Sequence, residues 1–285
     1  MSLTPDQQET FHRDGVVALE GFTDPAACDR LMARALEIVE GFTPEEISVF
    51  LAHDGSLNKD EYFLTSGDKI RCFFEEEAFD DKGALKQDLA LSINKIGHAM
   101  HDLDDVFDDF SRARNVCDLV ASLPFEDPRA LQSMYIFKQP HIGGEVTYHQ
   151  DATYLYTEPS SVIGLWWALE DATIENGCLW AWPGGHHEAV RSRFIRNPDN
   201  TVRYDVIDDT PWPEDKFVPL EVPKGTLVMF TGTLPHGSAP NRSDHSRHAY
   251  TLHIIDGAKP YSATNWLQRD PALPLRGFKE QGSAG

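Results

Sequence analysis

The sequence predicts a mainly β protein with flanking helices (α+β), its core a jelly roll of two packed antiparallel sheets. Three observations carry that prediction. Beyond Pro128 the chain breaks into short β-rich segments punctuated by Gly and Pro. No helical crossover separates most of these segments, so their strands are expected to pair antiparallel. The 285 residues, 41% apolar and 11% aromatic, suffice to bury one large core without disulfide or metal staples. A double-sheet jelly roll is the simplest closure for that many strands.

Taken in order, Leu3-Thr4-Pro5-Asp6-Gln7 reads as a helix start, with a capping Thr, a Pro at the first helical position and a Gln three residues after the cap. This helix should run to Gly15. Val16 to Leu19 makes a short apolar strand, and Thr23-Asp24-Pro25 restarts a helix with Ala27, Leu31, Ile38 and Val39 near one face. Between Gly41 and Asp68 the periodicity weakens and Pro, Gly, Asp and Ser accumulate, which suggests a surface excursion and a candidate lid. Ile70-Arg71-Cys72-Phe73-Phe74 is then strand-like. From Ser92 to Leu123 the apolar spacing is helical, with Ile93, Ile96, Met100, Val106, Phe110, Val116 and Leu119 as core positions. The segment 1–128 is therefore expected to be mostly helical and to pack on the barrel.

Strands follow at Gln132 to Lys138, Val162 to Leu169, Cys178 to Ala181, Thr226 to Phe230 and His248 to Ile255. Arg191 to Lys216 is a long polar insertion placed to cover the barrel mouth. The expected organisation is a single domain over 1–285, with the jelly-roll core at 129–258 and a C-terminal tail at 259–285.

Composition narrows the function classes. Cys28, Cys72, Cys117 and Cys178 lie far apart with no C-x-x-C pair, as expected of reduced thiols in a cytoplasmic setting. The formal net charge of -21 repels polyanions, so neither nucleic acid nor an anionic membrane is an expected partner. Acidic runs such as Glu75 to Glu77 and Asp104 to Asp109 read as solvated faces. Apolar runs are too short to cross a bilayer, and no heptad or exposed apolar stripe calls for an obligate partner. A small-molecule substrate and a monomer or weak homo-oligomer are expected.

The chemistry concentrates in Tyr148-His149-Gln150-Asp151, where His149 and Asp151 stand two apart and project from the same side of an extended strand. His236, in Leu234-Pro235-His236-Gly237 at a strand end, supplies a third ligand from a distant part of the chain. Two imidazoles and one carboxylate on one face of an octahedral ion leave positions open for a bidentate keto acid and O2, the arrangement of Fe(II) oxygenases. An H-x-D triplet alone is weak, since a surface His beside a turn Asp looks the same. Arg247 changes the balance: eleven residues after His236, at the head of the strand His248-Ala249-Tyr250-Thr251-Leu252-His253, its guanidinium can grip the distal carboxylate of 2-oxoglutarate as a fork.

Five segments extend the pattern: Ser66-Gly67-Asp68-Lys69-Ile70-Arg71, Ser92-Ile93-Asn94-Lys95-Ile96-Gly97-His98, Gln132-Ser133-Met134-Tyr135-Ile136-Phe137-Lys138-Gln139-Pro140-His141, His149-Gln150-Asp151 and Glu175-Asn176-Gly177-Cys178-Leu179-Trp180. In them the chain resembles the phytanoyl-CoA dioxygenase family over nearly its whole length. The resemblance implies a double-stranded β-helix of cupin-like form, with Fe(II) as cofactor and 2-oxoglutarate and O2 as co-substrates. It also implies Lys95, Met134, Trp166, Ser238 and Arg247 as 2-oxoglutarate contacts beside the ligands His149, Asp151 and His236. Read without it, Met134 and Trp166 are core packing and Lys95 is a solvated helix residue. The chain departs from many relatives at Pro183-Gly184-Gly185-His186, followed by His187, where a hydroxyl is lost; His141, His186 and His187 are further candidates for the substrate side.

Three rival functions are weighed. A halogenase would have Ala or Gly where Asp151 stands. A cupin-like isomerase needs no Arg247, Lys95 and Ser238, and a catalytically silent interaction protein would tolerate loss of a ligand. The expectation is hydroxylation of a small organic substrate with release of succinate and CO2. Tyr154, Tyr156, Trp166, Trp167, Trp180 and Trp182 could line an apolar pocket, though most read as core. The acidic field disfavours a CoA thioester, whose phosphates would want a basic patch.

Overall fold

A computed structural model describes residues 2–44, 47–50 and 60–278. The first helix, α1 (Pro5–Asp14), starts on the reciprocal Thr4/Gln7 capping box and ends at Gly15, whose φ of 75° lies in the left-handed region that only glycine enters freely. After β1 (Val16–Leu19), Asp24 caps α2 (Pro25–Glu40), which buries Cys28, Leu31, Ala35 and Val39. Then come α3 (Glu61–Leu64), β2 (Ile70–Phe74), α4 (Leu89–Ser92), β3 (Ile93–His98), α5 (Met100–Leu103), α6 (Asp105–Ser111) and α7 (Arg114–Ala121). The remaining strands are β4 (Pro128–Ile136), β5 (Val146–His149), β6 (Ile163–Ala168), β7 (Leu179–Ala181), β8 (Ser192–Arg196), β9 (Val202–Val206), β10 (Val218–Leu220), β11 (Leu227–Thr231), β12 (His236–Ser238) and β13 (Ala249–Asp256).

The strands form two main sheets, ordered β1-β11-β6-β13-β4-β3-β2 and β10-β7-β12-β5, plus the hairpin β8-β9. Between β4 and β7, and again between β11 and β13, the chain alternates from one main sheet to the other. That winding is the jelly roll expected, and the strand pairs are antiparallel as predicted.

The helical expectation for Ser92 onward is corrected at its start. Ile93–His98 is a strand paired to β2 on one side and β4 on the other. The reason lies in a bulge: Phe73 pairs with Lys95 but Phe74 with Ile93, so Asn94 is skipped in the ladder. Ile93 and Ile96 then reach the same core cluster at a three-residue spacing, which imitates helical periodicity. Helices do follow from Met100, with Met100, Val116 and Leu119 fully buried, while Phe110 is half-buried and Val106 is exposed.

Of the two acidic runs expected to be solvated, Glu76, Glu77, Asp105 and Asp109 are exposed, but one residue of each run is anchored instead. Glu75 is buried, accepting from Asn94 Nδ2 at 2.8 Å and from the Gly144 N–H at 3.1 Å. Asp104 is buried as the cap of α6 and pairs with Arg34 at 2.8 Å.

Alternation along the central strands gives the large sheet two different faces. Tyr135, Leu165, Trp167, Tyr250, Leu252 and Ile254 turn outward into a core shared with α2, α6 and α7. Their neighbours Gln132, Met134, Trp166, Thr251 and His253 face the opposite way and line a cavity of about 580 Å³ between the sheets. From the insertion expected over the mouth, Arg191, Phe194, Tyr204 and Trp212 also line it. The candidate lid lies partly outside the described residues, as does 279–285 of the tail. Of the described part, Phe63 and Trp266 pack together at a ring separation of 4.3 Å and close one end of the cavity.

Candidate active site

The small sheet sets the first two side chains. His149 ends β5 and His236 begins β12, and the two are direct cross-strand partners with ring centroids 4.4 Å apart. Each Nδ1 lies against a backbone carbonyl two residues back, Thr147 O at 2.9 Å and Leu234 O at 3.0 Å. A carbonyl only accepts, so both Nδ1 atoms carry the proton and both Nε2 atoms present a lone pair. Burial pushes His236 down to about 4, so it is neutral at ordinary pH.

Asp151 opens the short turn Asp151–Thr153, with Oδ1 at 3.6 Å from His149 Nε2 and 3.8 Å from His236 Nε2. Among the described residues these three are the group placed to hold a metal, with ligand atoms within 4.8 Å of one another. The other carboxylate oxygen, Oδ2, accepts from His253 Nε2 at 3.0 Å. Burial works against ionisation of Asp151, but the surrounding imidazoles, His253 first, outweigh it and hold the carboxyl well below its usual range. Donation through Nε2 makes the buried, unpartnered Nδ1 of His253 a bare lone pair. Two neutral imidazoles and an oriented carboxylate are the donor set that non-haem Fe(II) accepts with positions left open.

Arg247, two residues before β13, lines the same cavity and is only 2% exposed. Its Nε donates to Gly177 O at 3.0 Å, and its Nη1 is buried without a partner. Burial lowers it to about 10, which leaves it charged at neutral pH. Among the described residues no carboxylate stands within ion-pair distance. A buried cation in that state awaits an anion. Trp166 packs 5.3 Å from the guanidinium carbon. Lys95, Met134, Trp166 and Ser238 line the cavity with it, so all the residues expected at this site come together.

Lys95 is buried on a strand and not solvated on a helix. Its Nζ sits 3.1 Å over the Phe50 ring and 3.9 Å from Met134 Sδ, and burial drives it down to about 7 against the pull of Glu75.

Several participants carry no signature in the sequence. Buried Lys138 donates from Nζ to Ser238 Oγ at 2.8 Å and to Gly144 O at 2.6 Å. Gly177, at φ 83°, makes room for it: a Cβ there would meet Lys138 Cε at 2.7 Å. His253 shares the cavity face of β13 with Thr251, two residues earlier, which is the one local signal that could have marked it. In contrast, His141, His186 and His187 do not line the cavity. His141 is exposed beside Asp244 and His186 faces the His12 carbonyl. Of the aromatic candidates, Tyr154 and Trp166 line the cavity, while Trp167 is core.

The fold and this donor set place the chain in the class of jelly-roll oxygenases that use non-haem iron and 2-oxoglutarate. In fold it is similar to the α-ketoglutarate-dependent carbocyclase SnoK of nogalamycin biosynthesis, with a TM-score of 0.64 at 16% identity over 96% of both chains. It is likewise similar to EctD from S. alaskensis, solved with 2-oxoglutarate and 5-hydroxyectoine, with a TM-score of 0.62 at 18% identity over 91% of this chain and 78% of that one. In sequence, residues 11–249 match the phytanoyl-CoA dioxygenase (PhyH) family. The phytanoyl-CoA dioxygenase of Arabidopsis thaliana is 46% identical over 94% of both chains. Phytanoyl-CoA dioxygenase domain-containing protein 1 of Mus musculus is 46% identical over 96% of this chain and 97% of its own length. The chain belongs to the phytanoyl-CoA dioxygenase family.

Proposed function

We propose that the protein hydroxylates an unactivated C–H bond of a small organic substrate, with His149, Asp151 and His236 holding Fe(II) and Arg247 holding 2-oxoglutarate. The observation that carries the reading is Arg247: a charged, unpaired guanidinium enclosed in the same cavity as the triad. A cupin-like isomerase or a silent scaffold has no use for it. When bound, Fe(II) activates O2 for a reaction in which 2-oxoglutarate, O2 and R–H become succinate, CO2 and R–OH.

The chain's own part is orientation and exclusion of water. The carbonyls of Thr147 and Leu234 fix the Nε2 lone pairs of His149 and His236, and His253 holds Asp151 so that Oδ1 faces them. Arg247 gives the distal carboxylate of 2-oxoglutarate two parallel N–H donors, Ser238 a hydroxyl, and Trp166 and Met134 apolar walls. Lys95 adds a second cation for the dianion.

The test is succinate release from 2-oxoglutarate by protein loaded with Fe(II) and ascorbate, with 2-oxoglutarate binding measured anaerobically in parallel. Binding that requires both the metal and Arg247 supports the reading. Wild-type protein that takes up metal but neither binds nor turns over 2-oxoglutarate would return the choice to the isomerase or scaffold.

A further inference from the structure

The sheet register divides the cavity into two ends. Arg247 lies just before Ala249, which pairs with Ile136, and Ile136 pairs in turn with Lys95. Farther along the same strands, His253 pairs with Gln132, and Ser133 pairs with His98. One end therefore carries the cations, and the other carries His98, Gln132 and His253.

The tautomer of His98 is set by its surroundings. Ser66 Oγ donates its single proton to Phe63 O at 2.5 Å, and it also lies 2.8 Å from His98 Nδ1. With that proton committed, the hydroxyl must accept from His98, so Nδ1 carries the ring proton and Nε2 is a bare acceptor. Phe63, Phe73 and Trp266 enclose the ring at 5.7, 5.4 and 5.0 Å. Burial among them, with Lys95 and His253 near, keeps the ring neutral. The ring lines the cavity, and among the described residues nothing partners Nε2. Gln132 lines the cavity as well, is 5% exposed, and its carboxamide has no partner there either.

The walls at this end are apolar, formed by Phe63, Leu155, Phe194 and Trp266. Tyr154 and Tyr204 share one hydrogen bond between their hydroxyls at 3.1 Å. At the rim, Arg191 is stacked on Trp212 at 3.8 Å and lies 3.8 Å from Asp208, with Asp209 beside it. An anion entering here meets two carboxylates, one engaged guanidinium and a lone pair that cannot donate, with only the neutral Gln132 amide to offer it an N–H. A cation would sit in the same closed space as Lys95 and Arg247.

From this geometry we infer that the end of the cavity around His98 and Gln132 is the substrate subsite, and that it takes a compact, uncharged molecule with an apolar body and one hydroxyl or N–H donor, given to His98 Nε2. The inference rests on the reading of the Arg247 end as the 2-oxoglutarate site. A hydroxyl bound at His98 anchors the substrate at one point and leaves its apolar body against the aromatic walls, beside the Asp151 end of the triad.

The experiment uses full-length protein loaded with Mn(II) and 2-oxoglutarate, titrated with three probes of one shape: cyclohexylmethanol, cyclohexanecarboxylate and cyclohexylmethylammonium. The alcohol is expected to bind about tenfold more tightly than the carboxylate, which has no proton to give His98 Nε2, and more tightly than the ammonium, which can donate but brings its charge into the space of Lys95 and Arg247. His98→Phe should abolish the preference over the carboxylate, His98→Gln should restore part of it by supplying an amide oxygen, and Ser66→Ala should weaken it by freeing the tautomer. Melting curves and 2-oxoglutarate titrations on the same samples report folding and the state of the other end. Equal or tighter binding of either ion, no binding of the alcohol, or a preference over the carboxylate that survives in folded His98→Phe would overturn the inference. Failure of wild-type protein to bind 2-oxoglutarate would instead strike the proposed function.

Discussion

The two faces of the large sheet are built from alternate residues of the same strands yet do opposite work. On the outer face Tyr135, Trp167, Tyr250 and Leu252 are fully buried among helices. Among the described residues, polar links there join Ser111 to the Tyr250 hydroxyl at 2.6 Å and the Tyr135 hydroxyl to His248 Nδ1 at 2.8 Å, and Trp167 Nε1 is the buried donor left without a partner. On the inner face Gln132, Met134, Trp166, Thr251 and His253 border a cavity in which buried polar groups are left unpaired or paired only on one side. Stability resides in the first face and unspent binding capacity in the second. A protein that must bind a dianion and a metal keeps donors and cations desolvated, and it tolerates that cost only where a close-packed face backs it.

If the division is right, inner-face changes should remove function without unfolding. The largest effect belongs to the triad. Asp151→Ala, or Ala at His149 or His236, should reduce succinate release below about a thousandth of wild type, while circular dichroism and the melting curve show a folded chain. Full turnover in Asp151→Ala would end the ligand assignment.

Next is Arg247→Met, for which the Michaelis constant for 2-oxoglutarate should rise about a hundredfold, with turnover at saturation and metal affinity little changed. Arg247→Lys should recover only part, because an ammonium lacks the planar fork. Unchanged affinity, read by calorimetry, would move the anchor to Lys95 or Lys138.

The converse comes from the outer face. Leu252→Ala should lose about 2–5 kcal/mol of stability in a denaturant titration while the 2-oxoglutarate constant of the remaining folded enzyme stays as it was. A large change in that constant would mean the two faces are coupled.

Smaller still is Lys138→Met, which removes the ammonium from Ser238 and should raise the 2-oxoglutarate constant about tenfold with little loss at saturation.

The smallest effect is one of pH. Burial brings Lys95 to about 7, with Glu75 raising it and His98 nearby, so its ammonium is complete below that pH and disappears above it. The dianion favours the charged form and draws a proton onto Lys95 as it binds. Affinity should therefore fall a few-fold from roughly pH 6 to pH 8, with proton uptake visible as a buffer-dependent heat of binding. Lys95→Met should flatten that slope, and a slope that persists in it would assign the proton elsewhere.

Several elements were legible because a few neighbouring residues determine them. Thr4 with Gln7, and Gly15 at the far end, bound the first helix in the chain and in the structure alike. His149 and Asp151, two apart at a strand end, pair as candidate ligands within a short stretch, and Arg247 stands at the head of a strand that its own alternation announces. The strand at Ile93–His98 was not legible, because the bulge at Asn94 exists only in pairing with Phe73 and Phe74.

By itself the sequence determined the antiparallel jelly roll and marked the candidate ligands His149, Asp151 and His236 and the candidate anchor Arg247, since strand period and residue type at strand ends single them out. Only the tertiary structure decided which lone pairs and protons face the cavity. His253 reaches Asp151 across 102 residues, Lys138 reaches Ser238 across 100, and Ser66 sets the tautomer of His98 across 32. Each of those roles depends on a hydrogen bond formed when distant strands come into register, and neither period nor propensity within one strand records which atom will stand opposite.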